Sequence, residues 1–115
     1  MSPGKAIAQA GHAYLEAYLD ATSTAPDAAS AYSVLSPGTK IALEGGRPES
    51  LHAIFDTCQD MGIPCRLVID QSHIELPHFD GSPTLTALGV GPIDRATARR
   101  LLGRLPLWRG KGGGP

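Results

Sequence analysis

Aromatic residues make up only 5% of the 115-residue sequence, and only two residues are cysteines. So few aromatic rings argue against an extended base-stacking platform for nucleic acid. Cys58 and Cys65 form no CxxC pair, so a zinc site built on them is not expected, and two free buried thiols suit a reducing compartment. The sequence also lacks an apolar run long enough to cross a membrane and a signal-peptide core. We therefore expect a cytoplasmic protein without membrane partners.

An excess of positive charge is lacking too, because ten Lys and Arg residues stand against eleven Asp and Glu residues. Dedicated nucleic-acid binders usually carry a basic excess or a basic stripe. Any contact with nucleic acid would rest on a local patch, and the C-terminal arginines are the one candidate. We expect Arg99 and Arg100 to contact a phosphate backbone. The alternative is an ordinary charged helix face that is partly paired with Asp94.

Hydrophobic periodicity predicts helices that alternate with strands in a single domain. Ser2 and Pro3 are typical of a helix start. Helical spacing then predicts a helix over 4–20, whose core-facing residues are Ile7, Ala10, Tyr14, Leu15 and Tyr18. The remaining elements predicted are a short helix over 28–35, a strand over 39–43, a helix over 48–61, strands over 64–70 and 84–90, and a helix over 92–102.

The strand, helix and strand between positions 39 and 70 predict a βαβ unit with parallel strands. The apolar run from Leu67 to Ile69 is typical of a strand that is covered on both faces. We therefore expect an α/β fold with three layers (α/β/α) and a small mixed β-sheet. The domain should span 1–107, and the glycine-rich end over 108–115 should be a disordered tail.

Three polar residues of the first predicted helix form a stripe, because Lys5, Gln9 and His12 stand at positions i, i+4 and i+7. The stripe lies in the N-terminal half of the helix, where the helix dipole favours anions. A cation, an amide and an imidazole in this place suit the binding of a phosphate or a developing oxyanion. A solvated helix face is the alternative.

Polar residues also mark the predicted strands. Asp70 ends the most apolar strand, and ligands of open α/β sheets bind beyond the carboxyl ends of strands. A carboxylate there can orient a water or a histidine, although an Asp that caps a turn would give the same pattern. Thr84 and Thr86 alternate with Leu85 and so share one sheet face, which is also typical of ordinary strand formers.

The link between these strands gathers four potential metal ligands, His73, Glu75, His78 and Asp80. Metal sites usually need ligands that regular structure and further hydrogen-bonding partners hold in place. We expect a solvated polar loop and no metal cofactor, and keep a metal-dependent hydrolase as a third hypothesis.

Three segments together resemble the type 2 peptidyl-tRNA hydrolase family, in a bacterial-type form. They are SPGKAIAQAGHA (2–13), IDQSH (69–73) and SPTLTALGVGP (82–92). The family shows a GKxxAQxxHA helix, a strand that ends in Asp-Ala-Gly, and a T-x-T strand that leads into a G-x-G-P turn. The resemblance covers roughly residues 2–107.

The resemblance implies a four-stranded mixed sheet flanked by helices, and hydrolysis of the ester that joins a peptide to tRNA, without any cofactor. It implies peptidyl-tRNA as the partner, and a homodimer, since members often dimerise. The matched positions imply catalytic roles for Lys5, His12, Asp70 and Thr86, with Gln9 and Thr84 binding substrate.

Two departures from the family pattern qualify this expectation. Gln71 and Ser72 replace the usual Ala-Gly after Asp70, and Ser resists backbone conformations that Gly adopts. The chain also shows no strand before the first helix, so either the start lies upstream of Met1 or the strand has been lost. A non-catalytic relative that binds tRNA or a protein is therefore the alternative hypothesis.

Overall fold

The computed structural model describes residues 1–35, 38–70, 74–75, 79–80 and 84–110. Within these described ranges, four helices and four strands follow one another. They are α1 (Pro3–Thr24), α2 (Pro26–Ser33), α3 (Pro48–Met61), β1 (Cys65–Asp70), β2 (Ile74–Glu75), β3 (Phe79–Asp80), β4 (Thr84–Val90) and α4 (Arg95–Leu102). No helix in the described ranges is long and apolar enough to cross a membrane.

Local sequence signals explain where the helices begin and end. The hydroxyl of Ser2 accepts a hydrogen bond from the backbone N–H of Lys5 at the start of α1. Gly62 ends α3 with φ of 70°, a conformation that glycine adopts without strain. The carboxylate of Asp94 accepts from the backbone N–H of Thr97 (2.8 Å) and so caps α4. The predicted bounds of α3 and β4 are confirmed, and α1 runs four residues beyond its predicted end.

Two layers of helices enclose an antiparallel pair of strands. Strand β1 pairs with β4, and a bulge between Val68 and Ile69 shifts the register. Helix α1 covers one face of this pair, while α3 and α4 pack on the other face around Ile54, Cys58 and Cys65. Strands β2 and β3 form a separate antiparallel pair. The expected α/β class is confirmed.

The approach of α1 to the sheet depends on small residues. The buried residues Ala13 and Ala17 of α1 lie against Gly89 of β4. A Cβ at position 89 would overlap the backbone carbonyl of Ala13, so only glycine allows this helix–strand distance.

The predicted strand over 39–43 and the parallel βαβ unit are wrong. Of this segment only Leu43 forms a β-bridge, and that bridge is antiparallel to Leu107. The neighbouring hydrogen bonds run to the C-terminal segment as well, from Trp108 N–H to the Ala42 carbonyl (3.0 Å). Among the described strands every pairing is antiparallel. The segment therefore uses the chain end as its partner, which a local pattern cannot reveal.

The predicted core face of α1 is also wrong in part. Ile7 and Leu15 are 65% and 57% exposed, whereas the buried positions are Gln9, Ala13, Ala17 and Ala21. Close packing against β4 selects small side chains, so the large apolar residues of α1 do not mark its buried face. Strand β1 is not covered on both faces either, because Ile69 is 50% exposed.

The two cysteines are free and buried, as expected. Burial raises the pKa of the Cys58 thiol to about 12 and raises that of Cys65 as well. Both thiols are thus held in the neutral form at physiological pH.

The predicted tail over 108–115 is described only as far as residue 110. Within this part, the backbone N–H groups of Trp108 and Arg109 donate to the Ala42 carbonyl and the Glu44 carboxylate. Residues 111–115 lie outside the described residues.

Candidate active site

A carboxylate at the end of β1 meets a cation and an amide from α1. The ammonium of Lys5 lies 2.6 Å from Oδ2 of Asp70, and Nε2 of Gln9 donates to the same oxygen at 3.0 Å. Asp70 is 11% exposed and Lys5 is 35% exposed. Two donors on one largely buried carboxylate offset the cost of removing its charge from water. Three residues that the sequence predicted as site residues therefore meet in space.

Gln9 is buried and holds the Asp70 carboxylate, a role beyond the substrate contact that the sequence predicts. Its side chain is 5% exposed, which makes it a buried polar group that must find a partner. Its amide donates to Asp70 across the interface between α1 and β1. This hydrogen bond fixes the orientation of the carboxylate, so Gln9 supports a neighbour as well as lining the site.

Lys5, Gln9 and Asp70 form a polar cluster, and an open groove of about 500 Å³ lies beside it. Strand β1 contributes the four consecutive residues 67–70 to its lining. Helix α1 contributes one stripe, formed by Lys5, Ala8, Gln9, His12 and Glu16. His12 is exposed and shares the groove with Lys5 and Asp70. The predicted stripe is thus a groove wall and not a fully solvated helix face.

The two threonines of β4 stand next to the cluster in the sheet. Thr84 is the register partner of Asp70. Thr86 is the extra residue of the bulge, and its hydroxyl donates to the carbonyl of Val68 (3.2 Å). This bond ties the bulge to β1 two residues before Asp70, and Thr86 is not among the residues that line the groove.

Arg99 and Arg100 are not brought to the groove. Both are exposed on α4, which packs against α3 on the face of the sheet opposite α1. The carboxylate of Asp94 caps α4 by accepting hydrogen bonds from Thr97. These hydrogen bonds and, to a smaller extent, the charge of Arg100 lower the pKa of Asp94.

The predicted metal-ligand loop cannot be placed, since His73, His78 and the side chains of Glu75 and Asp80 lie outside the described residues. Gln71 and Ser72 lie there too. Within the described ranges no group of three or more metal-binding side chains occurs.

Two acidic residues near the groove, Glu16 and Asp20, are not among the predicted site residues. Glu16 continues the stripe of Lys5, Gln9 and His12 by four residues, and that spacing was the available signal. Asp20 accepts a hydrogen bond from the backbone N–H of Cys65 (3.2 Å) and so ties α1 to the start of β1. No sequence pattern indicates this second contact.

Comparison with known proteins identifies the family. The model of the family described as peptidyl-tRNA hydrolase PTH2 matches residues 1–108. A curated peptidyl-tRNA hydrolase of Methanocaldococcus jannaschii is 32% identical over 93% of this chain and 89% of its own length. Those of Pyrobaculum aerophilum and Methanococcus vannielii are 34% and 36% identical, over 95% and 80% of this chain and 88% and 75% of their own. The chain belongs to the PTH2 family, which confirms the resemblance.

Proposed function

We propose that this protein hydrolyses the ester bond between peptide and tRNA in peptidyl-tRNA, so that the tRNA is recycled. Membership of the PTH2 family and the names of the curated relatives support this function. The observation that carries it is the 2.6 Å contact between Lys5 and Asp70 in an open groove. Because peptidyl-tRNA arises in translation, we also propose the cytoplasm as the place of action.

The reaction needs only water and side chains in this proposal. Water adds to the ester carbonyl, the resulting tetrahedral species loses the bond to the 3′-ribose oxygen, and that oxygen takes up a proton. Asp70 orients the water, and the imidazole of His12, which lines the same groove, accepts its proton. His12 passes the proton it took from water to the ribose oxygen, and the peptide carboxylic acid loses its own proton to solvent, so the products are a peptide carboxylate, a tRNA with its hydroxyl restored and one released proton.

Lys5 is the residue we assign to the developing oxyanion. An ammonium has three donors, so the one that contacts Asp70 leaves others for the substrate. The contact with Asp70 holds the Lys5 side chain in place before substrate arrives, which reduces the reorganisation needed in the transition state. Thr84, the register partner of Asp70, remains a proposed substrate contact. The bond from Thr86 to Val68 favours a positioning role for Thr86, exerted through the bulge.

Substitution of the cluster should abolish most of the activity. We expect Lys5→Met and Asp70→Asn each to lower kcat by about 100-fold or more, because each removes a preorganised polar group. Release of labelled peptide from peptidyl-tRNA measures this. Lys40→Met and Asp60→Asn are matched controls at exposed positions outside the groove, and they should retain the wild-type rate.

Two results would contradict this assignment. A wild-type rate for Lys5→Met or Asp70→Asn removes that residue from the mechanism. A folded wild-type protein that binds peptidyl-tRNA but releases no peptide supports the non-catalytic relative.

We further propose that Arg99 and Arg100 contact the tRNA backbone away from the ester. Both are exposed on the last turn of α4. We expect Arg99→Gln combined with Arg100→Gln to raise KM several-fold, roughly, and to weaken the dependence of KM on salt, because each phosphate contact releases counterions. Kinetics at two salt concentrations measure this, with Arg47→Gln as control. An unchanged KM and salt dependence would exclude the contact.

A homodimer is also proposed. Helix α1 exposes the large apolar side chains of Ile7 and Leu15, which a partner surface would cover. Sedimentation velocity should show a dimer that Ile7→Lys combined with Leu15→Lys dissociates. A wild-type protein that stays monomeric at high micromolar concentration contradicts the proposal.

A further inference from the structure

The groove beside the cluster follows the open edge of a strand. Strand β1 pairs with β4 along one edge, and no described strand pairs with its other edge. Successive side chains of a strand point to opposite faces. Four consecutive residues, 67–70, can therefore line one groove only when the backbone edge forms its wall.

Two hydrogen bonds show which backbone groups point to this edge. The carbonyl of Val68 faces β4, where it accepts from Thr86, whereas the N–H of Cys65 turns away to Asp20 of α1. Backbone direction alternates along an antiparallel strand. The bulge places its extra residue in β4, so the alternation within β1 is unbroken. The N–H and C=O groups of Leu67 and Ile69 therefore point into the groove.

This edge leads directly to the reacting groups. Lys5 and Asp70 lie at one end of the groove, and Glu16 lines it further along α1. Lys5 and Glu16 are eleven residues apart, or about 16 Å along a helix. A second, smaller groove shares Glu16 and continues past Arg66 at the start of β1. An extended segment of about four or five residues would fit this length at roughly 3.3 Å per residue.

We propose that the groove binds the peptide part of peptidyl-tRNA as an added strand beside β1, an inference that rests on the proposed function. The peptide carboxyl group forms the ester, so the C-terminal residue lies at Asp70 and the preceding residues run back towards Arg66. The peptide is then parallel to β1. Leu67 and Ile69 offer it main-chain donors and acceptors, which recognise peptides whatever their side chains.

The same contacts separate two classes of substrate. A peptidyl-tRNA brings backbone amides that pair with Leu67 and Ile69. An aminoacyl-tRNA brings only a charged amine next to the ester, so it leaves those groups without partners. The groove therefore favours tRNA that carries a peptide of several amino acids over tRNA that carries a single amino acid.

A series of substrates tests this binding mode. Acetylated alanine peptides of one to six residues on the same tRNA should show kcat/KM that rises about 5-fold for each main-chain hydrogen bond gained and levels off near four or five residues. N-methylation should lower kcat/KM by about 5-fold at the amides that face β1, and it should have little effect at the alternate amides, which face away from β1. Replacement of an alanine side chain by valine should leave it almost unchanged.

A protein variant tests the far end of the groove. Glu16→Trp should lower kcat/KM for the five-residue substrate at least 5-fold, because the indole fills the groove, and spare the one-residue substrate. Thr22→Trp is the matched control, since Thr22 is exposed on α1 and lines neither groove. Circular dichroism checks the fold, and the substrate series decides alone if Glu16→Trp does not fold.

The outcomes separate this proposal from the one it rests on. Equal kcat/KM for all peptide lengths, with no effect of N-methylation, overturns strand addition while leaving hydrolysis intact. Absence of hydrolysis for every substrate overturns the proposed function itself.

Discussion

The close approach of α1 to β4 at Gly89 is the constraint on which the site depends. A side chain at position 89 would overlap the carbonyl of Ala13, so the helix can lie at this distance only over glycine. At that distance the first turns of α1 reach the end of β1, the strand next to β4. Lys5 and Gln9 then contact Asp70, although the carboxylate is 65 residues away from the lysine along the chain.

The need to stabilise the carboxylate of Asp70 in turn explains why a polar residue, Gln9, is buried on α1. A largely buried carboxylate costs several kcal/mol, roughly, unless charge and hydrogen bonds compensate it. Gln9 and Lys5 supply that compensation from one helix face. The arrangement holds Asp70 in one orientation beside the groove, as a positioned catalytic group requires. The same contacts among Lys5, Gln9 and Asp70 thus stabilise the buried carboxylate and position it for the proposed chemistry.

Much of this could be predicted from the sequence, for identifiable reasons. Helix α3 has a strong apolar period and a glycine stop, and β4 has a clear run of strand formers, so their bounds agree with the structure. The stripe of Lys5, Gln9 and His12 followed from helical spacing, and these residues do share one groove. The errors concern long-range packing. The partner of the segment 39–43 is the chain end, and the buried face of α1 is set by Gly89 in a distant strand.

A double-mutant cycle in kcat/KM between Lys5 and Asp70 would measure whether the two residues act together in catalysis. The two residues contact each other and are proposed to serve one transition state, so their losses should not multiply. We expect Lys5→Met combined with Asp70→Asn to be about as slow as the slower single variant. Losses that multiply fully would contradict it, because the two residues would then act independently.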